Sequence, residues 1–220
     1  MRTAGSSWET TWPLIRASGI ELIYEHGFES MNLRQLAKAA GLKGGGSLYN
    51  YFASKEDFLF RLMCEIMKEI LAEIETRIDN SAPPLERLKR FVGFHIDWHT
   101  ARRKETFISH MEMRSLPPKR YKTYVQMRKK YEEHFIKIIL DGCETGEFSV
   151  SNANIVTQSV LSMLTSVCYW YNSEGPVGQD ELIDQHTQMV IAILTSSAKS
   201  SISGLPRTIG KVAQSARRGS

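Results

Sequence analysis

From Leu59 onward, large apolar residues recur at steps of three and four: Leu59, Leu62, Ile66, Ile70 and Ile74 fall on one face of a helix. Almost nowhere does the chain alternate with the period of two that a half-buried strand needs. The pattern predicts an all-α protein of about nine helices, and the punctuation places them. The first runs from about Thr11 to His26, with Pro13 in its first turn, Ile15, Leu22 and Ile23 inward and Gly27 as the stop. Asn32 with Gln35 three residues later has the spacing of a capping box, opening a helix that ends at Gly41. Ser47 to Phe52 reads as a short third helix, and Ser54 caps a long fourth that reaches Arg77. Pro83–Pro84 and Pro117–Pro118 break the chain. Further helices are predicted near 85–102, 105–115, 119–142 (closed by Gly142 and Gly146), 152–171 and 179–197. At 42% hydrophobic, the 220 residues can bury a full-size core.

Three helices with a glycine-containing turn before the last form a helix-turn-helix module, whose final helix can enter the major groove of DNA. The charge pattern fits. Between Ser30 and Lys55 there is no Asp or Glu, although the chain holds 24 acidic residues, and that stretch carries Arg34, Lys38, Lys43 and Lys55. Ser47 and Asn50 have the groups to hydrogen-bond base edges, while Tyr49, Tyr51 and Lys55 have the reach to hold phosphates; Leu48 and Phe52 point back into the module. Glycines 44, 45 and 46 oppose an ordered helix by up to about 1 kcal/mol each, so a recognition helix ordered by DNA is expected. Residues 1–57 form this domain, 58–198 a larger helical domain for ligand binding and dimerisation, and 199–220 a basic tail whose composition predicts disorder. Apart from that tail the chain is close to neutral, so overall charge identifies no partner.

The run GFESMNLRQLAKAAGLKGGGSLYNYFASKEDF, Gly27 to Phe58, resembles the amino-terminal signature of the TetR family of bacterial transcription regulators. By that resemblance Tyr49 and Lys55 match positions that clamp the DNA backbone, Ser47, Asn50 and Tyr51 match positions facing the groove, and Asn32 and Arg34 match the start of the flanking helix. Two departures stand out. Met31 occupies a place where the family usually has Thr, and the segment from Leu42 to Ser47 is one residue longer than the common form. The resemblance implies a cytoplasmic repressor that binds a palindromic operator as a homodimer and leaves it when a small molecule occupies the larger domain. The patterns FVGFHIDWH, FISHMEMRSLP and TSVCYWYNSEGP are similar to regulators of fatty-acid and steroid breakdown, which suggests an acyl-CoA or a related intermediate as effector.

Candidate ligand contacts are the aromatic and sulfur-containing residues of the larger domain: Phe91, Phe94, His95, Trp98, Phe107, Met111, Tyr124, Met127, Tyr131, Cys168 and Tyr171. An aromatic stripe at helical spacing is also the ordinary signature of a core, so each has a plain packing reading. Arg102–Lys104 or Arg128–Lys130 offer cations for an anionic effector. His95 and His99 stand four apart, a metal-compatible spacing with His110 and Glu112 as candidate partners on the next helix, but the sequence fixes no third ligand and no metal or other cofactor is expected. HIDWH is not HExxH, and GLKGGGS lacks the lysine ending and preceding strand of a phosphate loop, so no enzymatic activity is expected. Three cysteines without CxxC spacing suit a reduced interior, and neither a secretory signal nor a membrane span is expected. The last two helices carry broad apolar faces: Ile155, Val156, Val160, Met163, Leu164 and Val167 on one, Leu182, His186, Met189, Val190, Ile193 and Leu194 on the other. A two-fold interface would cover them. Two alternatives stay open: a regulator of the same fold that senses metal or no ligand, and an all-α enzyme or carrier that has lost DNA recognition.

Overall fold

A computed structural model of the chain describes residues 8–42, 48–49 and 51–196. These residues are helical with no strand among them: α1 Trp8–His26, α2 Leu33–Ala39, α3 Lys55–Arg77, α4 Pro84–Ala101, α5 Arg103–Met111, α6 Pro118–Glu144, α7 Ala153–Thr165, α8 Val167–Trp170 and α9 Gln179–Thr195. A 3-10 turn, Glu112–Ser115, follows α5. The all-α expectation holds, and the count of nine agrees through two offsetting differences. The helix expected over 152–171 is broken at Ser166, whose hydroxyl donates to Met163 O at 2.7 Å, a local side-chain bond that competes with helical continuation. In the expected third helix only Leu48, Tyr49, Tyr51 and Phe52 are described; Tyr51 and Phe52 N–H both donate to Leu48 O at 2.9 Å, closing one tight turn. Lys43, Ser47, Asn50, glycines 44–46 and the basic tail lie outside the described residues.

Local chemistry accounts for the ends. The capping box is present in both directions: Asn32 Oδ1 accepts from Gln35 N–H at 2.9 Å, and Asn32 N–H donates to Gln35 Oε1 at 3.0 Å. Gly27 and Gly41 close α1 and the turn after α2 with φ of +77° and +70°, a conformation side chains resist. Ser54 caps α3 by accepting from Asp57 N–H. Pro84 and Pro118 are the first residues of α4 and α6, where a missing N–H costs nothing.

Two boundaries differ from the sequence reading. Helix α1 starts at Trp8, so Pro13 lies inside it rather than in its first turn. The gain is aromatic: Trp8 stacks on Trp12 at 5.0 Å, meets Tyr51 at 5.0 Å and carries the Arg61 guanidinium at 3.9 Å, contacts that outweigh one lost backbone bond. Gly142 does not end α6, which continues to Glu144. Its role is room, because a Cβ there would sit 2.0 Å from the Phe148 ring.

Two cores result. The head core gathers Ile15, Phe28, Leu36, Leu48, Phe52 and Phe58 with the first half of α3 (Leu59 to Ile66), and takes in Ile108, Leu116 and Tyr124 from the larger domain. The second core joins Ile70 and Ile74 to Phe91, Ile96, Phe135, Val160, Leu164 and Val190. Thus α3 runs through the boundary expected at residue 57 and belongs to both cores. Polar ties reinforce the join: Glu69 of α3 accepts from Arg16 of α1 at 3.1 Å and from Arg102, just past α4, at 2.6 Å.

Candidate functional site

At the head, α1, α2 and the Leu48 turn hold a small set of side chains out from a closed core. Leu48 and Phe52 are fully buried, which aims Tyr49 outward at 64% exposure. Arg34 and Lys38 are exposed on α2. Other expected DNA contacts carry structural work. Asn32 spends its carbonyl oxygen on the helix cap, and Tyr51 is half-buried against Trp8. Lys55 donates from Nζ to Glu29 O at 3.0 Å and to Phe28 O at 3.4 Å, with its ammonium 4.7 Å from the centre of the Phe28 ring. It therefore ties the end of α1 to the start of α3, which the sequence gives no means of seeing.

The larger domain holds a partly open cavity of about 300 Å³ between α3, α4, α5, α6, α7 and α8. His95 and Tyr131, both expected, line it. His95 is fixed on two sides, Nδ1 lying 2.9 Å from Tyr131 Oη and Nε2 3.1 Å from Thr165 Oγ1. His99 stacks on His95 with ring centres 3.8 Å apart and donates from Nδ1 to His95 O at 2.6 Å, which leaves Nε2 of its neutral ring as the acceptor. His110, Arg128, Glu132, Gln158, Ser162 and Tyr169 add further polar groups, and Met67, Ile70 and Leu161 supply the apolar part.

The remaining expected ligand residues lie elsewhere, for packing reasons. Phe91 is wholly buried behind the site, against Phe135 at 4.8 Å and Tyr131 at 5.6 Å. Phe94 and Trp98 face the second core, Tyr124 the head core, and Phe107 packs between Tyr24 and Tyr169. Met111 is exposed and Met127 half-buried outside the lining. Cys168 and Tyr171 line a second, smaller recess with Arg103 and Gln179. What the sequence reading passed over was the polar stripe Gln158, Ser162, Thr165 and Tyr169. Its three- and four-residue spacing inside an apolar segment was a usable signal.

Burial keeps these rings uncharged. The His99 value falls from 6.5 to about 4, mainly by desolvation, and that of His110 to about 3, by desolvation and then by the Arg128 charge. His95 is lowered well below the ordinary value for the first of these reasons, and the Tyr131 phenol is raised by burial. The unfolded chain then takes up protons that the folded chain refuses, so stability present at pH 7 is lost as the pH drops through 6.5 toward about 4. Melting temperature should fall measurably between pH 7 and pH 5; an unchanged value contradicts the neutral assignment. Among the described residues no group of three metal-ligating side chains stands close enough to hold a metal ion.

A helix-turn-helix head joined by one long helix to a larger helical body is the build of a DNA-binding transcription regulator. The model of bacterial regulatory proteins of the tetR family matches residues 15–62, and that of the tetracyclin repressor-like C-terminal domain matches residues 81–194. The chain belongs to the tetR family. It is 24% identical over 173 residues to the HTH-type transcriptional repressor KstR2 of Mycobacterium tuberculosis, covering 78% of this chain and 86% of that protein. Among solved structures, a tetR-family regulatory protein from Rhodococcus RHA1 superposes with a TM-score of 0.79 at 21% identity, covering 83% of this chain and 96% of that one. FadR of Bacillus subtilis in complex with stearoyl-CoA gives a TM-score of 0.70 at 21% identity, over 82% of this chain and 98% of that one. These superpositions are likenesses of fold. Among the described residues no helix is long and apolar enough to cross a membrane.

Proposed function

We propose that this protein is a transcriptional repressor that binds a palindromic operator as a homodimer and is released when a small molecule fills the cavity. The effector is an acyl-CoA or another intermediate of lipid or steroid breakdown. The observation that carries the reading is the position of α3: it starts in the head at Lys55, contributes to the head core, and supplies Met67 and Ile70 to the cavity wall. A ligand that prefers one setting of α3 must change the spacing of two reading heads, and by linkage DNA affinity changes with it. The names of the curated relatives point to transcription rather than catalysis, and those of KstR2 and FadR support the lipid and steroid direction.

The dimer is supported by what the monomer leaves uncovered. On α7 and α9 the expected apolar faces split. Val160, Leu164, Leu182, Val190 and Leu194 are buried inside the chain, while Ile155, Met189 and Ile193 are exposed, as is Trp170 of α8, which stacks on His186 of α9 at 6.3 Å. Titrating a fluorescent operator, recovered by selection from random duplexes, with a panel of acyl-CoA thioesters tests the release step. Anisotropy should drop for a subset of the panel; an operator complex indifferent to every member contradicts it.

At the head, Arg34, Tyr49 and Lys55 are the proposed phosphate contacts among the described residues. Tyr49→Phe removes one hydroxyl from an exposed ring and should leave the melting temperature unchanged while weakening operator affinity roughly tenfold, as expected for a hydrogen bond to a charged group. Undiminished affinity would remove Tyr49 from the interface. Lys55→Ala is a poorer probe, because loss of its bonds to Phe28 and Glu29 also loosens the head.

A further inference from the structure

The cavity lining contains one permanent cation, Arg128, and one carboxylate, Glu132. The two are not paired with each other. Glu132 Oε2 accepts from Gln158 Nε2 at 2.8 Å, and the hydrogen bond made by Arg128 runs from Nη1 to the Met113 sulfur at 2.9 Å. A thioether is a weak acceptor, and a guanidinium presents five N–H donors. Arg128 is half-buried, so it sits partly withdrawn from water with most of its donors uncommitted to an acid. Its neighbours do not compensate it, since His95, His99 and His110 are neutral at pH 7. A half-buried guanidinium with no acid bonded to it, in a wall whose one carboxylate is turned to Gln158, is a site for a planar anion, which it binds through two parallel N–H bonds.

Size narrows the partner. At about 300 Å³ the cavity lies at the lower end of the ~300–1,000 Å³ typical of ligand pockets, and its apolar surface is a short patch of Met67, Ile70 and Leu161. We propose that the cavity binds a compact organic acid, its carboxylate on Arg128 and a ring or short chain on Met67, Ile70 and Leu161, and that this contact draws Arg128 off Met113. The proposal rests on the reading of this cavity as the effector site and, of the two effector classes given there, takes a free-acid intermediate over an acyl-CoA thioester.

The second half of the proposal follows from where Met113 lies. It belongs to the 3-10 turn Glu112–Ser115, packs against the head core, and is preceded by Glu112, whose Oε1 accepts from Phe28 N–H at 3.3 Å. The side chain that reads the anion is thus bonded to the segment that holds the end of α1. Losing that bond frees the turn, and with it one attachment of the reading head.

Calorimetric titration of the full chain with cyclohexanecarboxylate and with cyclohexanecarboxamide, which has nearly the same shape without the charge, tests the site. The acid should bind at least about tenfold more tightly than the amide. Arg128→Met should erase that preference, Arg128→Lys should keep part of it, and Lys129→Met, an exposed neighbour, should keep all of it. Equal binding of acid and amide, no binding of the acid at millimolar concentration, or an acid preference that survives in Arg128→Met overturns the proposal. Because Arg128→Lys retains the cation, it keeps the test decisive if Arg128→Met folds poorly. Operator release is read separately. Release by an acyl-CoA without any carboxylate preference overturns the anion site and leaves the effector reading standing, whereas acid binding with the operator still held upholds the anion site and overturns its effector role.

Discussion

Joint substitution of Met189→Glu and Ile193→Glu should turn the protein into a monomer and reduce operator affinity by about a hundredfold or more. The two positions lie one turn apart on α9, each 42% exposed, while their neighbours Val190 and Leu194 are fully buried against the protomer's own core. Glutamates at 189 and 193 therefore cost the isolated protomer little. In a two-fold interface they appear twice, placing four carboxylates where apolar surface is expected to meet itself, and burying charge without a partner is among the most expensive changes available. A single protomer can hold only one half-site, which removes the gain from binding both heads at once. Sedimentation velocity measures the first effect and fluorescence anisotropy the second. A double variant that stays dimeric places the interface elsewhere on the molecule.

Phe58→Ala should destabilise the fold by about 3–5 kcal/mol, and so lower the melting temperature by roughly 10 °C. The ring is wholly buried where three elements converge, edge-on to Phe52 at 5.4 Å and to Trp12 at 6.0 Å. Helix α1 comes closest at Gly19, where a Cβ would lie 2.2 Å from the tip of the Phe58 ring. Gly19 has no side chain to move into the space, and Trp12 is held in place by its stack on Trp8, so much of the cavity left by the truncation would stay open. The loss falls on the joint between the head and α3, and operator affinity should decline along with stability. Thermal denaturation gives the answer directly. A cost below about 1 kcal/mol would mean that the head repacks around the gap, contrary to the close α1–α3 approach.

Much of the architecture was legible because it rests on short-range chemistry. The period of Leu59 to Ile74, the Asn32–Gln35 box and the Gly27 stop each act within a few residues, and each stands where expected. Failures came where a distant contact decided. Pro13 reads as a first-turn proline of a helix from about Thr11 because the value of Trp8 depends on Tyr51 and Arg61, which only the folded chain brings near. Gly142 looked like a terminator because Phe148 packs on it from beyond the turn. The cavity was the hardest to read. Aromatic residues drew attention, yet Phe91, Phe94 and Trp98 serve the core, while the wall draws heavily on polar residues from five helices. Of the expected ligand residues, His95 and Tyr131 line it, and they do so as a hydrogen-bonded pair that periodicity alone does not reveal.

The central claim is that two heads, held apart by the larger domain, read DNA with two-fold symmetry. Selection of bound duplexes from a random-sequence pool tests it most directly. The account predicts enrichment of one inverted repeat, with half-site centres about 34 Å apart along the duplex or a multiple of that. Recovery of a single half-site without a repeat, or of no enriched sequence at all, would contradict it.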